Sequence, residues 1–163
     1  MILGLSIPAF TALHVAISLA GIAAGLVWFV VLLRGRWLPA WNAVFLALTI
    51  LTSVTGFLFP ASTLTPAQIV GYVSLADLAL SLVALIGFAR RGRWGGVYIA
   101  TAVFALYLNS FVLVVQSFLK IPALNALAPN GSEPPFAAAQ SAVLLAFLYF
   151  GYRAVRRNRI ATT

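Results

Sequence analysis

Five long apolar segments, separated by short polar or basic connections, constrain the fold of this chain more than any other feature. They cover residues 8–33, 39–59, 67–89, 95–119 and 136–155. A helix needs about 20 apolar residues to cross the hydrocarbon core of a bilayer, and each segment reaches that length. Only 7% of the residues are charged, so a water-soluble helical protein would lack charged outer faces. The sequence therefore predicts one all-α domain over residues 1–163, a polytopic membrane bundle of five transmembrane helices.

Basic residues predict the orientation of this bundle. The connections after the first and third segments, together with the end of the chain, hold nine of the ten Lys and Arg residues, and the other two connections hold only Lys120. Because basic loops stay in the cytoplasm, we expect the N-terminus outside and residues 156–163 to form a basic cytoplasmic tail. The Ala-, Leu- and Arg-rich composition is typical of a bacterial protein, which predicts the inner membrane.

The formal net charge of +8 would indicate nucleic acid binding in a soluble protein. Here the arginines lie beside apolar segments, where anionic lipid headgroups account for them. We therefore expect the bilayer and its anionic headgroups as partners, and no nucleic acid.

The fourth segment has two distinct faces when drawn as a helix. Polar residues fall along one line: Tyr98, Asn109, Gln116 and Lys120. Aromatic residues recur every seven positions on the other side: Phe104, Phe111 and Phe118. We expect the polar face to meet protein and the phenylalanine face to meet lipid.

Two ionisable residues lie within the predicted spans, His14 and Asp77. Ionisable groups inside a membrane are costly, so each is a candidate for binding or proton handling. Each also has a structural interpretation. Asp77 can be a carboxylic acid bonded to a neighbouring Ser or Asn, and His14 can bond across helices or to Asp77 itself.

Helical rise and the predicted topology bring several polar residues to related depths. The candidate ligand-binding or proton-handling residues are His14, Asp77, Asn109, Gln116, Gln140 and Lys120. They predict a polar pocket open to the outside, with Asp77 and Asn109 at its floor, while the inner half is expected to be mainly apolar. Lys120 also has an alternative, in which it reaches the membrane interface or pairs with Glu133.

Two further features concern packing and partners. Gly21 and Gly25 form a small-xxx-small pair, which favours close packing of another helix, in a homo-oligomer or a larger membrane complex. The one long connection, residues 121–135, is rich in proline, and either a lid or a plain connector fits it.

The residue inventory excludes several kinds of chemistry. The chain has no Cys and one His, so neither a disulfide nor a zinc or copper site within one subunit is predicted. No cofactor is predicted, although a haem bound through His14 alone stays open. Ser18, His14 and Asp77 are the residue types of a catalytic triad, but no oxyanion element is evident, and no catalytic residue is assigned.

Three classes of function remain, in order of preference. The first is a membrane protein that binds a small amphipathic ligand or serves as an accessory subunit of a membrane complex. The second is a small proton-coupled carrier that uses Asp77 and His14. The third is a membrane enzyme acting on lipid or isoprenoid substrates.

Overall fold

The computed structural model describes residues 1–61 and 63–160. Over these residues the protein is all-α and has six helices: α1 (Ile7–Leu33), α2 (Pro39–Gly56), α3 (Pro66–Leu82, continued by the π-helical turn Val83–Gly87), α4 (Arg93–Lys120), α5 (Pro122–Asn125) and α6 (Pro134–Ile160). All of them except α5 are long and apolar enough to cross a membrane. The prediction of five candidate spans is therefore confirmed, and the five helices form a bundle.

Helix starts follow from local sequence. The hydroxyl of Ser6 accepts a hydrogen bond from the N–H of Ala9 at the start of α1. Thr65 and Gln68 form a capping box at the start of α3. Pro39 and Pro66 stand in the first turns of α2 and α3, where the missing N–H of proline costs no helical hydrogen bond.

We call the end of the bundle that carries residues 34–38, residues 88–92 and the last turns of α6 the basic end, and the other end the opposite end. At the basic end, the π-helical turn is followed by Ala89 and Arg90, both with positive φ. This bend brings the Arg90 guanidinium over the ring of Trp37, 3.7 Å from its centroid. A cation–π contact of this kind holds the 88–92 connection against the start of α2.

α4 is the central helix and contacts every other helix. Tyr98, Ala102, Ala105 and Leu106 are fully buried along it. Gly25 of α1 allows the close approach, since a Cβ there would lie 2.6 Å from Leu106 Cδ1 and 2.7 Å from Phe45 Cδ2.

α6 covers the face of α4 that was expected to meet lipid. Phe118 is buried and its ring packs edge-on against Phe136 of α6, with centroids 5.4 Å apart. The prediction that Phe118 faces lipid is therefore wrong. Phe111 is half-buried, and only Phe104 is exposed. The seven-residue spacing of phenylalanines on α4 correctly indicates an apolar contact face. Most of that face contacts α6 and not lipid.

The predicted basic tail is helical in its first part. α6 continues to Ile160, and the Asn158 amide donates to the carbonyls of Leu32 (3.3 Å) and Ala154 (2.9 Å). The last turns of α6 are thereby attached to the end of α1. Residues 161–163 of the predicted tail lie outside the described residues.

The long connection after α4 is folded against the end of that helix. The Asn125 amide donates to the carbonyl of Phe118 (3.2 Å), and Ala128 is buried. Glu133 forms no ion pair with Lys120; its carboxylate bonds to Asn130 and Ser132. The suggested pairing of Lys120 with Glu133 is therefore not present, and Lys120 is exposed.

Candidate functional site

Polar side chains of α2, α3 and α4 bond to one another across the helix interfaces. Near the basic end, the Tyr98 hydroxyl donates to the Asn42 side-chain carbonyl, and both residues are buried. One turn further along α4, the hydroxyls of Thr101 and Ser81 are 3.0 Å apart. The half of the bundle nearer the basic end, which the sequence predicts to be the inner half, was expected to be mainly apolar, and these two buried pairs correct that expectation.

Near mid-length of the helices, the Asn109 amide donates to the Thr49 hydroxyl over 3.2 Å. Thr49 is fully buried and Asn109 is half-buried. This bond joins α4 to α2. Asn109 therefore has the interhelical partner that a polar residue at this depth needs.

Asp77 lies on α3 between two interhelical contacts. Ser74, one turn towards the opposite end, bonds to Ser53 of α2 at 3.1 Å. Ser81, one turn towards the basic end, contacts Thr101 of α4. α2 and α3 run antiparallel. Thr49 on α2 and Asp77 on α3 therefore each lie about one turn from the Ser53–Ser74 contact, towards the basic end. This puts Asp77 near the level of the Thr49–Asn109 bond.

The carboxyl group of Asp77 is incompletely paired. Its Oδ2 atom is buried and has no hydrogen-bond partner. Three other buried side-chain atoms in the described residues share this property: Trp28 Nε1, Thr52 Oγ1 and Gln140 Oε1. Asp77 is the only ionisable residue in this group. A buried carboxyl oxygen without a partner carries an unmet desolvation cost, which a donor from a bound molecule would offset.

His14 lies nearer the opposite end and bonds to α2 rather than to Asp77. Its Nδ1 is 2.8 Å from the Thr55 hydroxyl, and that hydroxyl donates its single proton to the main-chain carbonyl of Leu51, 2.7 Å away. In the tautomer that fits this arrangement, Nδ1–H donates to the Thr55 hydroxyl and Nε2 carries the lone pair. The ring also packs edge-on against Phe59, with centroids 5.3 Å apart.

The Ser18 hydroxyl donates to the main-chain carbonyl of His14, 2.8 Å away, and not to its ring. Ser18, His14 and Asp77 therefore do not form the hydrogen-bonded series of a catalytic triad. Within the described residues, no group of three or more His, Cys, Asp or Glu side chains is placed to hold a metal ion.

The remaining candidate residues do not all lie on the same side of α4 as Asp77. Gln140 donates to the main-chain carbonyl of Phe111, 3.1 Å away, so it lies on the side of α4 that faces α6. Asn109 lies on the opposite side of α4, as helical spacing from Phe111 and Phe118 requires. Gln116 and Lys120 are exposed on the last turns of α4. Thus Asn109 is near the level of Asp77, whereas Gln140 is held across α4.

Gly21 and Gly25 are both buried inside the bundle. A Cβ at Gly21 would lie 3.2 Å from Leu48 Cβ, so this glycine allows α2 to approach α1. Both glycines are used for packing within one subunit and are not on the lipid-facing surface.

Sequence reasoning missed an aromatic cluster at the basic end. Trp28 stacks on Phe45 with centroids 5.7 Å apart, and Trp37 packs edge-on against both Trp28 and Tyr98. The cluster closes the bundle beside the Asn42–Tyr98 bond. Trp37 follows the basic residues Arg34 and Arg36 in the sequence, but that position alone does not indicate which rings meet.

Comparison with protein family models, with curated proteins and with solved structures finds no match to this chain.

Proposed function

We propose that this chain is a multi-pass protein of the bacterial inner membrane, with its N-terminus outside, that binds a small amphipathic ligand through Asp77. The observation that carries this proposal is the buried, unpartnered Oδ2 of Asp77. Ser74 and Ser81, one turn from Asp77 on α3, and the Thr49–Asn109 pair near its level are already hydrogen-bonded across helices. Asp77 is therefore the group that remains for an amine or hydroxyl donor of a ligand, whose apolar part the surrounding side chains accept.

Entry from the outside is the route that the polar groups favour. Ser53, Ser74, Thr55 and His14 continue from the level of Asp77 towards the opposite end. Nε2 of His14 can accept a hydrogen bond there. Under the proposed topology these groups lie in the outer half of the membrane and form the path of a ligand towards Asp77.

The test compares the two carboxylates of the chain, since Asp77 and Glu133 are its only acidic residues. Protein purified from the inner membrane in mild detergent is analysed by native mass spectrometry for a retained small-molecule adduct. We expect the adduct in wild type and in Glu133→Gln, and at least about a tenfold loss in Asp77→Asn, because a hydrogen bond to a charged group contributes about 1.5–3 kcal/mol. Equal retention in the two variants would refute the proposal.

A second function, a proton-coupled carrier, is favoured by the polar pairs at the basic end. Asn42–Tyr98 and Ser81–Thr101 continue the polar groups past Asp77, and a carrier needs polar groups on both sides of its central site. In proteoliposomes with an internal pH dye, a carrier would move protons and lose that activity in Asp77→Asn. Proton movement with this dependence would replace the binding proposal by the carrier.

An accessory role in a larger membrane complex predicts a different result. A partner protein would co-purify with wild type and with Asp77→Asn alike, because the helix surface and not Asp77 would hold it.

A further inference from the structure

A cavity of about 340 Å³ lies at the basic end, between the end of α1 and the last turns of α6. Its lining consists of Leu33, Tyr152, Arg153, Arg156 and Arg157. Three of these five residues are arginines, so positive charge is concentrated in the cavity. Leu33 and the ring of Tyr152 supply its apolar lining.

Local contacts hold these arginines in place without neutralising them. Nη1 of Arg156 donates to the Tyr152 hydroxyl, 3.2 Å away, and its guanidinium lies 5.6 Å from the centroid of that ring. Arg153 stands in the same way over Tyr149, 5.7 Å from the ring centroid. These tyrosine contacts orient the two guanidiniums one turn apart, and no carboxylate takes part in them.

Arg157 reaches the cavity over a turn that only glycine suits. Gly35 has φ +75°, and a Cβ at that position would lie 3.0 Å from Arg157 Nε. The absence of a side chain at Gly35 makes room for Arg157, and the positive φ is one that glycine adopts without strain.

Within residues 1–61 and 63–160, which the structure describes, no carboxylate side chain pairs with these arginines. Glu133 is bonded to Asn130 and Ser132 in the connection before α6, at the opposite end. Asp77 lies near the middle of α3. These are the only acidic side chains of the chain, so no acidic side chain supplies a counter-charge for the cavity, and an anionic group of another molecule can do so. Guanidinium groups match phosphate oxygens in both charge and geometry.

The surface beside the cavity is suited to acyl chains. Leu33 and the ring of Tyr152 line the cavity itself. One and two turns deeper along the same sides of the two helices, exposed apolar residues follow: Val30 and Leu26 on α1, and Leu148 and Leu145 on α6. A molecule with a phosphate group and hydrocarbon chains would match both the positive charge of the cavity and the apolar surface beside it.

We propose that this cavity is a binding site for the phosphate headgroup of an anionic phospholipid. The three arginines bind the phosphate, Leu33 and Tyr152 contact the glycerol region, and the acyl chains lie against the exposed side chains of α1 and α6. This site is separate from Asp77 and does not depend on the proposed function.

The test uses two triple variants that remove the same charge from the same end of the protein. Arg153→Gln/Arg156→Gln/Arg157→Gln alters the cavity. Arg34→Gln/Arg36→Gln/Arg91→Gln alters exposed connections and is the control. Phosphatidylglycerol, phosphatidylcholine or inorganic phosphate is added to detergent-solubilised protein, and bound lipid is measured by native mass spectrometry.

We expect phosphatidylglycerol to bind the cavity variant at least about tenfold more weakly than wild type, and the control variant within about twofold of wild type. Equal losses of phosphatidylglycerol binding in the two triple variants would mean that diffuse surface charge, and not this cavity, attracts the lipid, and would overturn the proposal. Displacement of phosphatidylglycerol by an equal concentration of inorganic phosphate would also overturn it, since it would indicate a site for the free anion.

A single variant keeps the test informative if the triple variant does not fold. Arg156→Gln removes one guanidinium, and we expect about a fivefold weaker binding of phosphatidylglycerol from it. Binding unchanged from wild type in Arg156→Gln would overturn the proposal. Arg156→Lys should recover only part of the loss, because an ammonium group cannot form the bidentate contact.

Discussion

Glu133 illustrates at the residue scale how a single side chain organises a connection. Its carboxylate accepts hydrogen bonds from the N–H of Asn130 (3.0 Å), the N–H of Ser132 (3.0 Å) and the side-chain amide of Asn130 (2.8 Å). These bonds, that of the Asn130 N–H above all, lower the pKa of Glu133 below its ordinary value of 4.5. The ionised carboxylate therefore stabilises the turn just before α6.

This shift predicts a pH dependence with a definite sign. Because the pKa is lower in the folded turn, the stabilisation is fully present above pH 4.5 and is lost as the pH falls through the folded pKa. We expect hydrogen-exchange protection of the Asn130 and Ser132 amides, corrected for intrinsic rates, to be constant near neutral pH and to decrease in acid. Glu133→Gln should remove this dependence. The same acid midpoint in wild type and variant would show that another group is responsible.

Individual polar residues were easier to predict than their partners. The sequence marked Tyr98 and Asn109 as polar positions on one side of α4, and the structure bonds them to Asn42 and Thr49 of α2. Helical periodicity gives the side of a helix on which a residue lies, but not the depth at which two helices meet. For this reason the sequence predicted Gln140 in the same pocket as Asp77, although α6 packs on the other side of α4.

Gly25 determines, at the scale of the helix, how closely α1 approaches α2 and α4. A Cβ there would overlap Leu106 Cδ1 at 2.6 Å and the Phe45 ring at 2.7 and 2.9 Å, and both side chains are fully buried. We expect Gly25→Ala to lower the free energy of unfolding by about 1–3 kcal/mol, the usual cost of overpacking a core. Thermal or denaturant unfolding in detergent measures this change.

Gly56→Ala is the matched control for this prediction. A Cβ at Gly56 meets only His14 Cε1, at 3.8 Å, which is an ordinary contact. We expect its stability to be within about 0.5 kcal/mol of wild type. Equal destabilisation in the two variants would mean that helix geometry, and not the contact with Phe45 and Leu106, accounts for the effect at Gly25.

The helices themselves were largely predictable because hydropathy and span length decide them. The predicted spans 8–33 and 95–119 agree closely with Ile7–Leu33 and Arg93–Lys120. The surroundings of each helix were not predictable in the same way. Phe118 was expected at the lipid surface because it is apolar and opposite the polar face of α4. In a membrane protein the residues that meet lipid and those that meet another helix have similar hydrophobicity, so composition alone does not separate them.

The orientation of the whole molecule rests on its basic residues and is directly testable. The chain has no cysteine, so single cysteines can be introduced without a background. In intact cells, a maleimide that does not cross membranes should label Ser132→Cys, in the connection before α6. Ala40→Cys, near the basic end, should be labelled only after lysis. The reverse labelling pattern would place the N-terminus in the cytoplasm. The proposed ligand path to Asp77 would then open to the cytoplasm and not to the outside.

The peripheral position of α6 has a consequence for biogenesis. Among the described residues, the buried hydrophobic cluster draws its members from α1 to α4 and from the π-helical turn, and α6 adds Ala154 alone to it. The chain is synthesised from its N-terminus, so this cluster can close while the ribosome is still translating the rest. In that order of events, α6 would dock onto an already assembled bundle as the last step of insertion. The arginines of α6 that line the cavity would reach their place beside α1 only at that step, so under the proposed lipid site bound anionic lipid would report that insertion is complete.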